Sequence, residues 1–227
     1  MNRDNQEWAS DVRDSQIWVN GSMRVLIACE FSGLIREAFA RHGHTAWSCD
    51  LLPTEQPVTN GGHYVGDVRD HLREAWDLMI AHPPCTYLAV SGARWFKDRP
   101  QEQMDALAFV RDLMDAPIDR IAVENPISVI SSKIRQPDQI IQPWQFGHGE
   151  VKATCLWLKG LPRLIPTHLA VTKDKYLPFP YWPDDAPLER VARVHRAAPS
   201  PDRWKERSRT LEGIANAMAE QWGRTDE

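Results

Sequence analysis

Short apolar runs alternate with amphipathic stretches along most of this chain. Val25-Leu26-Ile27-Ala28, Leu78-Met79-Ile80-Ala81 and Ile121-Ala122-Val123 are continuous apolar runs, the mark of strands buried on both faces. Leu34, Ile35, Ala38 and Phe39 recur at helical spacing, with Gly43 where that helix should end. Thr45–Cys49 predicts a strand ending in Asp50, Tyr64-Val65-Gly66-Asp67 another, and Thr154–Leu158 a further one. Pro100 opens a helix whose apolar stripe is Met104, Leu107, Ala108, Phe109, Leu113 and Met114. Strands alternating with helices predict an α/β fold, a mainly parallel sheet with helices on both faces. Ligands of such sheets bind beyond the carboxyl ends of the strands. Those ends carry Glu30-Phe31-Ser32-Gly33, Asp50, Asp67, His82-Pro83-Pro84-Cys85 and Glu124-Asn125-Pro126.

Composition narrows the class. At 227 residues, with 42% hydrophobic and 26% charged, the chain matches a soluble globular domain rather than a disordered one. No run approaches the roughly 20 apolar residues of a membrane span, and Met1–Ser22 has no signal-peptide core. We read 1–22 as a polar arm and 23–227 as one domain, with 160–206 an irregular, Pro-rich, basic insert. Cys29, Cys49, Cys85 and Cys155 form no CxxC pair, so no metal site is expected and reduced cytoplasmic thiols fit best. A net charge of −4 makes any nucleic-acid contact local. Arg190, Arg193, Arg196, Arg203, Lys205, Arg207 and Arg209 supply such a patch, unless it is only a solvated loop.

Two consecutive prolines fix a stiff turn behind a buried strand and hold Cys85 in place, which suits a nucleophile. The other three cysteines lie in or beside strand-like runs and read as small core hydrophobes. Glu124 at the end of an apolar strand is expected to be desolvated, with a raised pKa and a proton to give near neutrality. Asp50 stands where an acid meets ribose hydroxyls. Phe31-Ser32-Gly33 is no GxGxxG, so a dinucleotide is not supported.

Together these residues resemble the cytosine-C5 DNA methyltransferase family. Pro83-Pro84-Cys85 looks like its nucleophile motif, Glu124-Asn125-Pro126 like its glutamate motif, and Phe31-Ser32-Gly33 like a degenerate first motif. Asp50 and Asp67 fall where its cofactor-binding acids lie, and Gly213-Ile214-Ala215-Asn216-Ala217-Met218 is similar to its last motif. The likeness covers about 23–160 and 207–223. It implies a Rossmann-like, S-adenosylmethionine-dependent methyltransferase fold, with 207–223 a helix returning to the cofactor site. Cys85 would add to C6 of a flipped cytosine and Glu124 would act at N3. Phe31, Ser32, Gly33, Asp50, Asp67, Pro83 and Asn216 would hold S-adenosylmethionine, Asp50 at the ribose and Asp67 at the adenine. Pro84, Asn125 and Lys152 would face the base, and Arg193, Arg196 and Arg203 the phosphates of double-stranded DNA.

Two departures qualify that likeness. The family's Gln-x-Arg-x-Arg motif is replaced by Gln145-Phe146-Gly147-His148-Gly149-Glu150-Val151-Lys152, with Lys152 the nearest basic residue. About fifty residues stand where sequence-specific members carry a large recognition domain. That shortness resembles phage and prophage members acting in a bacterial cytoplasm, with loose specificity or a partner that supplies it. Three rivals stay open: the same chemistry on a free nucleotide, a thiol hydrolase pairing Cys85 with a histidine such as His82, and a catalytically silent DNA-binding relative.

Overall fold

A computed structural model describes residues 21–167, 200 and 203–224. Its centre is a seven-stranded sheet of order β3-β2-β1-β4-β5-β7-β6. The strands are β1 (Arg24–Ala28), β2 (Thr45–Asp50), β3 (Gly61–Val65), β4 (Leu78–Ala81), β5 (Ile121–Pro126), β6 (Gln139–Ile141) and β7 (Thr154–Lys159). The first five are mutually parallel; β7 runs antiparallel to both β5 and β6. The helices are α1 (Leu34–Arg41), α2 (Pro100–Met114), α3 (Ile130–Lys133), α4 (Arg203–Ser208) and α5 (Glu212–Trp222). The expected α/β architecture with a mostly parallel sheet is therefore present. No described helix is long and apolar enough to cross a membrane.

Alternation along the central strands explains the layering. Val25, Ile27, Leu78, Ile80 and Ala122 point to one face, where α1 (Ile35, Phe39) and α5 (Ile214, Met218, Trp222) cover them. Leu26, Ala28, Met79, Ala81 and Val123 point to the other, beneath Leu107, Val110 and Leu113 of α2. Both faces are thus buried, as the unbroken apolar runs predict. The residue pattern does not announce β6, whose three residues are too few to show a period and whose Ile140 is half exposed. The antiparallel sense of β7 is equally invisible in the sequence.

Two polar anchors fix the edges around the strand ends. Arg36, fully buried, pairs with Glu37 at 2.9 Å and donates to Ser48 Oγ, Thr54 Oγ1 and the Gln56 and Pro57 carbonyls. A buried guanidinium is tolerable only when paired and hydrogen-bonded in this way, and here its partners hold the 51–60 loop. At the other edge, α5 starts so close to the preceding chain that a Cβ on Gly213 would collide with the Phe146 carbonyl oxygen. The Gly213 N–H donates to His148 Nε2 at 2.8 Å.

Candidate active site

β1 and β4 are neighbours, but the chain leaves β1 toward β2 and leaves β4 toward β5. A crevice opens at such a reversal of strand order. On its β1 side, Cys29 takes a positive φ of 59°, a strained value for a residue with a side chain. Glu30 follows and turns inward, 5% exposed. Its carboxylate accepts from the Ile35 N–H (2.8 Å), the Arg36 N–H (3.4 Å) and Ser32 Oγ (3.1 Å). Burial pushes the Glu30 carboxyl above its ordinary value, against these hydrogen bonds and the nearby His82 charge. Gly33 supplies the left-handed residue (φ 74°) from which α1 starts.

This cap has a chemical consequence. The first helix N-terminus of a dinucleotide-binding sheet receives pyrophosphate on its N–H groups. Here an internal carboxylate already occupies them, so a phosphate would meet an acid. Asp50, half-buried at the end of β2, accepts from the Leu52 N–H at 3.0 Å, and burial raises its pKa. Asp67, after β3, is more exposed; Arg69 pairs with it and holds its carboxyl below the ordinary range. Glu30, Asp50 and Asp67 thus follow β1, β2 and β3, with Glu30 capping α1 and Asp67 paired with Arg69. Phe31 and Ser32 are buried in the same turn as Glu30, and the Ser32 hydroxyl is engaged by the Glu30 carboxylate.

The second cluster lies at the ends of β4 and β5. Ala81 is in register with Val123, so the next residues, His82 and Glu124, stand side by side. His82 Nδ1 is 2.9 Å from Glu124 Oε2, and His82 Nε2 is buried with no hydrogen-bond partner among the described residues. Asn125, 1% exposed, donates its amide to the Pro83 carbonyl at 2.8 Å, tying the turn that carries Cys85 to β5. Pro83 is buried in that turn and Pro84 is exposed. Cys85 is exposed beyond them. Desolvation by its surroundings, then the Glu124 charge, push its thiol up against weaker pulls from Lys152 and Arg207.

Glu124 corrects an expectation. Burial does push its carboxyl up, but His82, the Lys152 charge and a Thr154 hydrogen bond together hold it below the ordinary carboxylate range. The acid is ionised at neutral pH because its neighbours are donors and cations, which the strand pattern does not reveal. It lines an open cleft with Lys152, Thr154, Ser208, Arg209, Thr210 and residues of α5. Lys152 lines this cleft beside Glu124, and its Nζ donates to the Arg207 carbonyl at 2.9 Å.

Asn216 is the other correction. It sits on the exposed face of α5 and accepts from Arg41 Nη2 at 2.9 Å, while Ile214 and Met218 face the cleft. Helical phase turns it away, although the helix itself reaches the site. Asn125 is turned inward, its amide N–H on the Pro83 carbonyl. Arg193, Arg196, most of the 160–206 insert and most of the 1–22 arm lie outside the described residues, as does the side chain of Arg203 on α4. Sequence reasoning assigns no site role to Glu30 or Thr154, takes Arg207 only as part of the basic patch, and weighs His82 only as a hydrolase partner. The readable signal for Glu30 and His82 is that each follows the apolar run of a central strand. No family model and no curated protein matches the sequence.

Proposed function

We propose that this protein is a DNA (cytosine-5-)-methyltransferase that acts on a flipped cytosine through a covalent Cys85–C6 bond, with S-adenosylmethionine as methyl donor. The observation that carries the reading is the convergence of Cys85, Glu124 and Lys152 beside a crevice whose helix N-terminus is closed to phosphate by Glu30. The acids Glu30, Asp50 and Asp67 suit a sulfonium cation and a ribose diol. When bound, the cofactor supplies an electrophilic methyl group at the crevice.

C5 of cytosine is a poor nucleophile until Sγ of Cys85 bonds to C6 and the C5–C6 π pair shifts into the ring. The thiol is protonated and Glu124 ionised at rest, so addition moves one proton from sulfur toward N3, with Glu124 on its route. After C5 has taken the methyl group, its proton passes to water, the C6–S bond breaks and the N3 proton returns to the thiolate. Lys152 offsets the negative charge on the ring and on Glu124. Extruding the base from double-stranded DNA costs a few kcal/mol. Phosphate contacts from the basic patch, including Arg193, Arg196 and Arg203, offset part of it.

Incubation with labelled S-adenosylmethionine and plasmid DNA, followed by nucleoside analysis, tests the reading. Label in 5-methyldeoxycytidine is expected; label only in a free nucleotide, or none at all, overturns it in favour of the nucleotide enzyme or the silent relative. Asp50 provides a narrower check. Removing a carboxylate that pairs with the ribose hydroxyls should weaken cofactor binding by about 1–3 kcal/mol, and equal calorimetric affinities for Asp50→Ala and wild type would contradict its placement.

A further inference from the structure

His82 is not built like a core histidine. Buried imidazoles ordinarily satisfy both ring nitrogens, and each exception calls for a reason. Here one nitrogen meets Glu124 Oε2 at 2.9 Å, while Nε2, on a side chain 9% exposed, has no partner among the described residues. The ring stands between two carboxylates: Glu124 on β5, and the buried Glu30 after β1, which is close enough to feel its charge. The His82 backbone N–H donates to the Ala28 carbonyl at 2.9 Å, so the residue is anchored at the crevice between β1 and β4.

We propose that His82 is a positioning residue that works through Glu124: its Nδ1 contact fixes the carboxyl group on the route of the proton that travels between the Cys85 thiol and N3 of the base. The proposal rests on the methyltransferase reading above. Protons balance within the site. The thiol proton passes to the Glu124 carboxylate as Sγ bonds to C6, and from Glu124 to N3. When the C6–S bond breaks, the N3 proton retraces the path and the pair returns to its starting state. Other groups facing this pair are Cys85 on the turn, Lys152 and Thr154 at the start of β7, and Arg207 on α4. The two cations attract the thiolate, and Lys152 attracts Glu124 as well, so a proton on Glu124 is released toward the base rather than held.

His82→Leu tests this, because leucine fills the space but cannot donate to Glu124; His82→Gln, which can, should recover much of the rate. The wild-type rate should be nearly flat across neutral pH. The leucine variant should be at least about tenfold slower at pH 7 and should climb with pH as its Glu124 carboxyl ionises. KM for the cofactor should be unchanged. Carbon NMR of the Glu124 carboxyl gives a readout independent of turnover: its titration midpoint should rise in the leucine variant as its principal opposing donor disappears. A leucine variant whose pH profile runs parallel to wild type, or whose Glu124 midpoint stays in place, overturns the proposal. Should the wild type transfer no methyl group to DNA, the functional reading fails, while an unmoved Glu124 midpoint remains the separate failure of the His82 assignment.

Discussion

Cys85→Ala should abolish methyl transfer, by roughly 10⁴-fold or more, while leaving the fold and cofactor affinity intact. Removing the nucleophile of a covalent mechanism removes the step on which every later one depends. The side chain is exposed, so its truncation should change stability by no more than about 0.5 kcal/mol. Duplex DNA containing 5-fluorocytosine should trap the wild type as a stable adduct, because the fluorine that replaces the C5 proton cannot leave as a cation. Mass spectrometry of the trapped species should place the bond on Cys85. Normal turnover in the alanine variant would remove Cys85 from the mechanism. The thiol itself should be slow to alkylate at neutral pH and should quicken as pH rises, since desolvation and the Glu124 charge both favour its protonated form.

Glu124→Gln should cost about 10²–10⁴-fold in turnover, the range of a lost general acid. The amide keeps an oxygen for His82 Nδ1 and nearly the same volume, so the melting temperature should move little. Two signs separate this role from mere capping. Glu124 is held ionised by His82, Lys152 and Thr154, so under the proposed mechanism it would carry a proton that arrives during the reaction; the amide has no such capacity at any pH. Its charge also suppresses the Cys85 thiolate, so alkylation of Cys85 should run faster in Glu124→Gln than in wild type at the same pH. A variant with wild-type rate and a melting point several degrees lower would assign Glu124 to structure alone.

Residues buried on both faces make the centre of the sheet legible: β1, β4 and β5 contain unbroken apolar runs, and no other pattern fits them. The same logic fails at the antiparallel end, where β6 has three residues and an exposed middle one. At the site, Cys85 and Glu124 can be picked out because each follows a buried strand run. Their electrostatics cannot. His82 and Glu124 lie 42 positions apart, a spacing with no pattern in it, and what joins them is the pairing of β4 with β5. Asn216 shows the converse failure. Its motif is legible, but the phase of α5 turns the side chain to solvent and toward Arg41.

The buried Arg36 has a thermodynamic consequence for whatever enters the crevice. Its guanidinium holds Thr54, Gln56 and Pro57, and the Glu55 N–H donates to the Phe31 carbonyl at 2.9 Å. The wall beside Asp50 is therefore ordered by the folding of the domain itself. Fixing a residue's backbone costs roughly 1–2 kcal/mol, and for this loop that cost falls on folding rather than on association. A ligand meets a rigid wall, so its binding should show the small heat-capacity change of a preformed pocket rather than the large one of a segment that folds around its guest.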